Sequence, residues 1–219
     1  MPNSYDKYLS LLPKHLLQYV VDQDYGHYSP IDQAVWRYVM RQNVSYLPSV
    51  CHGSYLEGLE KTGLSIDSIP SMSGMNRILK DIGWYAVAVD GFIPPSVFME
   101  FQANNVLVIA ADIRQINHIG YTPAPDILHE AAGHAPIIAD PKYALYLKRF
   151  GEIGSKAFSS QYDIELFEAI RKLSILKESP LTKKDIIQEA EAGVLKLQSK
   201  NHELSEMSKI RNLHWWTVE

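Results

Sequence analysis

The sequence predicts a mainly α-helical protein with a few short β-strands. Three observations predict it. Apolar residues recur at helical intervals, two cap-then-proline pairs open helices, and only two short apolar, β-branched-rich runs bounded by Gly, Asp and Asn read as strands. Residues 5–21 place Tyr, Leu and Val at helical spacing and predict the first helix. Ser29 before Pro30 reads as an N-cap with proline at the first helical position, opening a helix to about Tyr46. Short helices are expected near 53–61 and 73–82. Residues 84–89 and 106–110 are the strand candidates, and Pro94-Pro95 opens a helix carrying Phe98. Asp140-Pro141 repeats the cap-then-proline signal for a helix through about Ser159. Two further helices fill 163–200, parted by residues 179–182, with Thr182 and Asp185 as a variant capping box. The second, rich in Glu, Lys and Gln, has an exposed outer face.

The 219 residues suit one domain, residues 1–219, with ample apolar content for a core. A net charge of −4 and a pI near 6.1 argue against a general nucleic-acid binder, and Lys183-Lys184 reads as a solvated helix start. The single Cys51 excludes an internal disulfide and a thiolate metal cage, which fits a reducing compartment. No apolar run approaches membrane-spanning length and the N-terminus lacks a signal peptide's layout, so the expected location is the cytoplasm.

The run Pro123-Ala-Pro-Asp-Ile-Leu-His129-Glu130-Ala-Ala-Gly133-His134-Ala-Pro136 brings two histidines and a glutamate together on a short helix. The protease zinc motif spaces its histidines by four, about 40° apart around a helix, so that they share a face. Here the spacing is five, about 140° apart on an ideal helix, so both reach one metal only if the helix ends or distorts between them. Gly133 and Pro136 stand where such a break is needed, Pro136 by pushing Ala135 out of the α region. The alternative is a buried helix whose histidines are satisfied by hydrogen bonds, although burying two of them among Ile, Leu and Ala without a partner is costly. Two His and one carboxylate on a triangular face suit non-haem Fe(II), and the carboxylate must come from elsewhere in the chain.

Gly91-Phe-Ile-Pro-Pro-Ser-Val-Phe98, Ala111-Asp-Ile-Arg114, Tyr121-Thr-Pro-Ala-Pro-Asp126 and the His-Glu-Ala-Ala-Gly-His run, in that order and spacing, resemble the catalytic core of the pterin-dependent aromatic amino acid hydroxylases. The closing Trp215-Trp-Thr-Val-Glu219 is similar to that family's Trp-Phe-Thr-Val-Glu segment, whose Glu is the third iron ligand. The resemblance implies a helical basket fold and a monooxygenase that hydroxylates the ring of an aromatic amino acid, phenylalanine favoured, with Fe(II), O2 and a tetrahydropterin such as tetrahydrobiopterin. It implies that His129, His134 and Glu219 ligate iron and that Arg114 holds the substrate carboxylate, for which a bidentate guanidinium is suited. Thr122, Pro123 and Trp215 then line the amino acid pocket, and Gly91, Ile93 and Phe98 form the pterin strip with Glu130 facing the pterin. The bland alternatives are that Arg114 belongs to a surface ion pair and that Phe98 and Trp215 are core.

Three departures stand out. Ala131-Ala132 replaces a common Leu-Leu, Pro95 stands where a small polar residue is usual, and His214 takes the place of an aromatic. A longer stretch between His134 and Glu219 resembles a bacterial subgroup. Family members continue for a helical region beyond the third ligand, so this chain reads as C-terminally truncated, with self-association through the uncovered surface as an expected consequence. Asp126 or water could then stand in for Glu219. The competing functions are an incomplete core acting as a non-catalytic binding module, and a zinc hydrolase with Glu130 as base.

Overall fold

A computed structural model describes residues 8–122, 124–179 and 181–218. Its elements in chain order are α1 (Lys14–Leu17), β1 (Val20–Val21), α2 (Pro30–Tyr46), α3 (Gly53–Thr62), α4 (Met72–Leu79), β2 (Tyr85–Val89), α5 (Pro95–Ala103) and β3 (Val106–Ala110). A π-helix (Leu128–His134) then runs into α6 (Ala135–Ile138), followed by α7 (Pro141–Gly154), α8 (Gln161–Glu178), α9 (Lys184–Gln198) and α10 (Glu206–Val218). Helices dominate, as expected, around one sheet of order β1-β2-β3.

β2 and β3 are parallel, Tyr85 opposite Val106 through Val89 opposite Ala110, with α5 as the crossover. Both faces of this pair are covered, which is why the strands read as unbroken apolar runs. The two-residue alternation still sorts them. Ala86, Ala88, Leu107 and Ile109 point into the main core with Trp36 and Met40 of α2 and Ile127 and Ala131 beside the histidine run. Val87, Val89, Val106 and Val108 face a second core with Leu16, Ile93 and Phe101. Beyond the short β1, the Asn76 amide completes the ladder by bonding both the N–H and the carbonyl of Ala86, at 2.6 and 2.8 Å.

Most expected boundaries hold. Ser29 and Asp32 form a full capping box at the start of α2. Asp140 caps α7 through the Lys142 and Tyr143 amides. Three expectations are corrected. Residues 8–21 are not one helix, because Pro13 adopts an extended conformation, leaving α1 short, and Val20–Val21 pairs antiparallel with β2. α7 stops at Gly154, short of Ser159. Thr182 and Asp185 form no capping box, since α9 begins one residue late with Lys183 at the N-cap and no side-chain bond there. The box in this region is Ser160 with Asp163, at the start of α8.

α8 and α9 form an antiparallel pair over a small core of Leu166, Leu173 and Val194, clasped by a 2.6 Å Lys177–Glu191 ion pair. Two glycines set helix separations elsewhere. A Cβ on Gly151 of α7 would stand 2.5 Å from backbone atoms of α5, and one on Gly58 of α3 would stand 1.9 Å from the Pro136 carbonyl oxygen. Gly58 therefore lets α3 close onto the element that follows the histidines. Among the described residues no helix is long and apolar enough to cross a membrane.

Candidate functional site

The distortion demanded by the five-residue spacing is a π-helix. From Leu128 to His134 the backbone winds i→i+5, so residues five apart stack on one face, and the Nε2 atoms of His129 and His134 lie 3.0 Å apart. The expected break at Ala135 is corrected, because Ala135 keeps α geometry (φ −57°, ψ −41°) and α6 follows without interruption. Proline is tolerated at 136 because it sits in the first turn of that new helix.

Side chains from elsewhere hold this winding. Asp126 accepts the His129 amide at 3.0 Å through its carboxylate and the Glu130 amide at 3.0 Å through its carbonyl. Tyr55 of α3 donates its hydroxyl to the Ala132 carbonyl at 2.8 Å. Asp126 also receives Arg114. The guanidinium gives Nε to Oδ2 at 2.8 Å and Nη2 to Oδ1 at 2.9 Å, and the Arg114 amide reaches Oδ2 at 2.9 Å. The two side chains are only 13% and 6% exposed, so Arg114 belongs to a buried pair, not to a surface one. Hydrogen bonding to Asp126, set against burial, raises the guanidinium above its ordinary pKa. With both oxygens of Asp126 engaged, its carboxylate is committed to structure.

A cavity of about 480 Å³ opens over the π-helix, within the range of small-molecule sites. Gly91, Ile93 and Phe98 form one wall, and Gly91 needs its left-handed backbone (φ 61°) to turn the chain there. His129 and Glu130 line the floor, with Arg114 and Thr122 to one side and Trp215 at the rim. Of the expected site residues, these eight are thus brought to one cavity. His134 is buried beside it, in contact with His129. Pro123 and Glu219 lie outside the described residues. Trp215 is 68% exposed and so is not core, while Phe98 meets the ring of His214 edge-on at 5.7 Å. The structure adds Phe92, Ile170, Arg211 and His214 to the lining. Arg211 and His214 were discoverable, because they precede Trp215 by four and one on a helix whose inner face includes 211, 214 and 215.

The histidine pair fits a metal. Two nitrogens each about 2.1 Å from one ion stand about 3.0 Å apart at a right angle and about 3.4 Å apart at the tetrahedral angle. The observed 3.0 Å matches the right-angled arrangement of a six-coordinate ion. Without an ion the same contact is a hydrogen bond whose direction follows the tautomers. Among the described residues no group of three His, Cys, Asp or Glu surrounds such a site.

The fold and this site define a helical domain with a paired-imidazole floor under an apolar cavity. Residues 19–219 match the sequence profile of the biopterin-dependent aromatic amino acid hydroxylases, and the chain belongs to that family. It is 31% identical over 140 residues to the phenylalanine-4-hydroxylase of Chromobacterium violaceum, covering 64% of this chain and 47% of that one. Over 135 residues it is 33% identical to the corresponding enzyme of Mesorhizobium japonicum, covering 61% and 48%. The crystal structure of the Chromobacterium enzyme with iron(III) and 7,8-dihydrobiopterin superposes with a TM-score of 0.64 at 28% identity, covering 78% of this chain and 62% of that one. The chain spans about half the length of the curated relatives it matches.

Proposed function

We propose that this chain carries the metal and cofactor cradle of an aromatic amino acid monooxygenase, with phenylalanine as the favoured substrate. The carrying observation is the convergence of His129 and His134 to 3.0 Å on a π-helix that floors the cavity. Fe(II) would sit between these imidazoles with Glu219 as its third ligand, and with a tetrahydropterin it would supply the activation of O2 that puts one oxygen atom on the ring. The names of the relatives support phenylalanine, and one solved structure of the Chromobacterium enzyme is described as bound to iron and phenylalanine.

The chain's own residues position the reactants. Arg114 spends Nε and one N–H of Nη2 on Asp126 and one N–H of Nη1 on the Ile119 carbonyl. One N–H remains on each terminal nitrogen, a fork that suits the amino acid carboxylate. Phe98 offers its ring to a flat heterocycle along the Gly91–Ile93 wall, and the buried Glu130 can accept that heterocycle's N–H groups. Thr122 and Trp215 complete the amino acid side, where the resemblance also sets Pro123, and the apolar walls exclude water from the reacting atoms. The cytoplasm suits this chemistry and the lone thiol of Cys51. Leu213, Trp215 and Trp216 are each exposed near the end of α10, which supports self-association, read by sedimentation equilibrium.

The deciding experiment mixes the chain, Fe(II), a tetrahydropterin and O2 with phenylalanine, tyrosine and tryptophan together, followed by mass spectrometry. One added oxygen on one amino acid is the expected result. Stoichiometric iron with no product would instead assign the chain a binding role alone.

A further inference from the structure

We propose that Arg211 makes the strip end of the cavity an anion site, so that the flat heterocycle bound there carries an acidic substituent, a carboxylate or a phosphate ester. This rests on the pterin reading above and specifies which kind of pterin the chain takes.

α10 puts Arg211, His214 and Trp215 on one face, at i, i+3 and i+4, and all three line the cavity. That face abuts the strip, since His214 meets Phe98 at 5.7 Å. Ile170 lines the same end, one turn along α8 from Phe167, whose ring lies 5.2 Å from that of Phe92. A heterocycle lying against Phe98 therefore points a substituent toward Arg211.

The guanidinium is placed there with its donors unspent. Its ion-pair partner is Asp163, at 3.9 Å, beyond hydrogen-bond distance. The Asp163 carboxylate is already engaged, Oδ2 accepting Ser160 N–H and hydroxyl at 2.7 and 2.8 Å and Ser205 hydroxyl at 2.6 Å, and Oδ1 accepting Ser208 hydroxyl at 2.5 Å. Asp163 thus orients Arg211 without consuming its fork. The other arginine lining the cavity, Arg114, is held by Asp126 and keeps its remaining fork for the amino acid side. Arg211 is 34% exposed and shares the cavity lining with the apolar Phe92, Ile93 and Ile170, surroundings in which a charge-assisted hydrogen bond is stronger than in open water.

The test is calorimetric titration of the iron-loaded chain with three pterins: dihydrobiopterin, whose side chain is neutral, dihydrofolate, which ends in carboxylates, and dihydroneopterin monophosphate. At least one acidic ligand should bind about tenfold tighter than the neutral one. Which of them does so distinguishes carboxylate from phosphate. The preference should fall at least about fivefold in Arg211→Gln, survive in part in Arg211→Lys, and weaken as salt rises. Equal affinities in the wild-type chain, or a preference unchanged in a folded Arg211→Gln variant, would overturn the proposal. If no pterin binds, 3-phenylpropionate serves as the probe. Arg211-dependent binding of it would keep the anion site and sink the pterin reading, and no binding would sink both.

Discussion

Asp126 holds Arg114 by side chain and backbone at once, and with the same carboxylate it caps the amide of His129. One buried anion therefore fixes both the cation proposed for the substrate and the first residue proposed for the metal. Asp126→Asn leaves the guanidinium buried without a counter-charge. Breaking such a pair costs about 3–5 kcal/mol, and we expect a loss at the lower end because Asn keeps one acceptor. Urea unfolding measures it, and a loss below about 1 kcal/mol would mean that the pair behaves like a surface one.

Arg114→Ala should raise KM for the amino acid at least about tenfold while iron content stays at the wild-type level, since a bidentate charge-assisted contact is lost and no ligand is touched. Iron analysis beside steady-state kinetics separates the two effects. An unchanged KM would remove Arg114 from the substrate side.

What could be read from the sequence divides along the distance over which the determining contacts act. Ser29 with Pro30 and Asp140 with Pro141 are local devices, so α2 and α7 start where expected. β1 was missed because two residues cannot announce a strand, and Val20 exists as one only through Val89. For the histidines, the spacing of five implied a distorted helix. Its form could not be read, because the winding is held by the Tyr55 hydroxyl and the Asp126 carboxylate, and Gly133 and Pro136 suggested a break instead. The resemblance named the residues of the cavity wall up to Trp215. It did not reach Ile170 or Arg211, which belong to the long segment between His134 and Glu219.

Gly58 carries a third prediction. Its missing Cβ is where the Pro136 carbonyl passes, so Gly58→Ala must push α3 away from the turn that follows His134. Overpacking of this kind costs about 1–3 kcal/mol, and we expect the upper end because the obstructing atoms are backbone. Displacement should also pull Tyr55 from the Ala132 carbonyl and loosen the π-helix. Metal affinity should fall with stability, by about tenfold, a loss typical for supporting groups around a site. Titration with Fe(II) under anaerobic conditions measures this, and full affinity in a destabilised variant would uncouple α3 from the metal site.

His129→Ala and His134→Ala should each leave about a tenth or less of the iron bound, because each removes one of two imidazoles aimed at a single point. Metal analysis after desalting reads the stoichiometry. Retention by either variant would mean that the pair is a hydrogen bond in the core and that iron sits elsewhere.

The cavity wall formed by α10 depends on Asp163, and its dependence has a pH signature. Burial pushes this carboxyl upward, but hydrogen bonds from Ser205, Ser208 and Ser160 outweigh it and hold the pKa at about 2, below the ordinary 3.8. Ser205 and Ser208 flank the start of α10, so the same bonds set the helix that brings Arg211 and His214 to the cavity. A depressed folded-state pKa contributes stability that is complete above the unfolded value and fades as pH falls from about 4 toward 2. The contribution at neutral pH is about 2 kcal/mol. Asp163→Asn should therefore be less stable than the wild-type chain by roughly that amount at pH 7, and the gap should narrow between pH 4 and pH 2. Comparing the two chains by urea unfolding at each pH cancels the other carboxylates, which titrate alike in both. A gap independent of pH would show that the amide loses shape complementarity alone and that the charge of Asp163 contributes nothing.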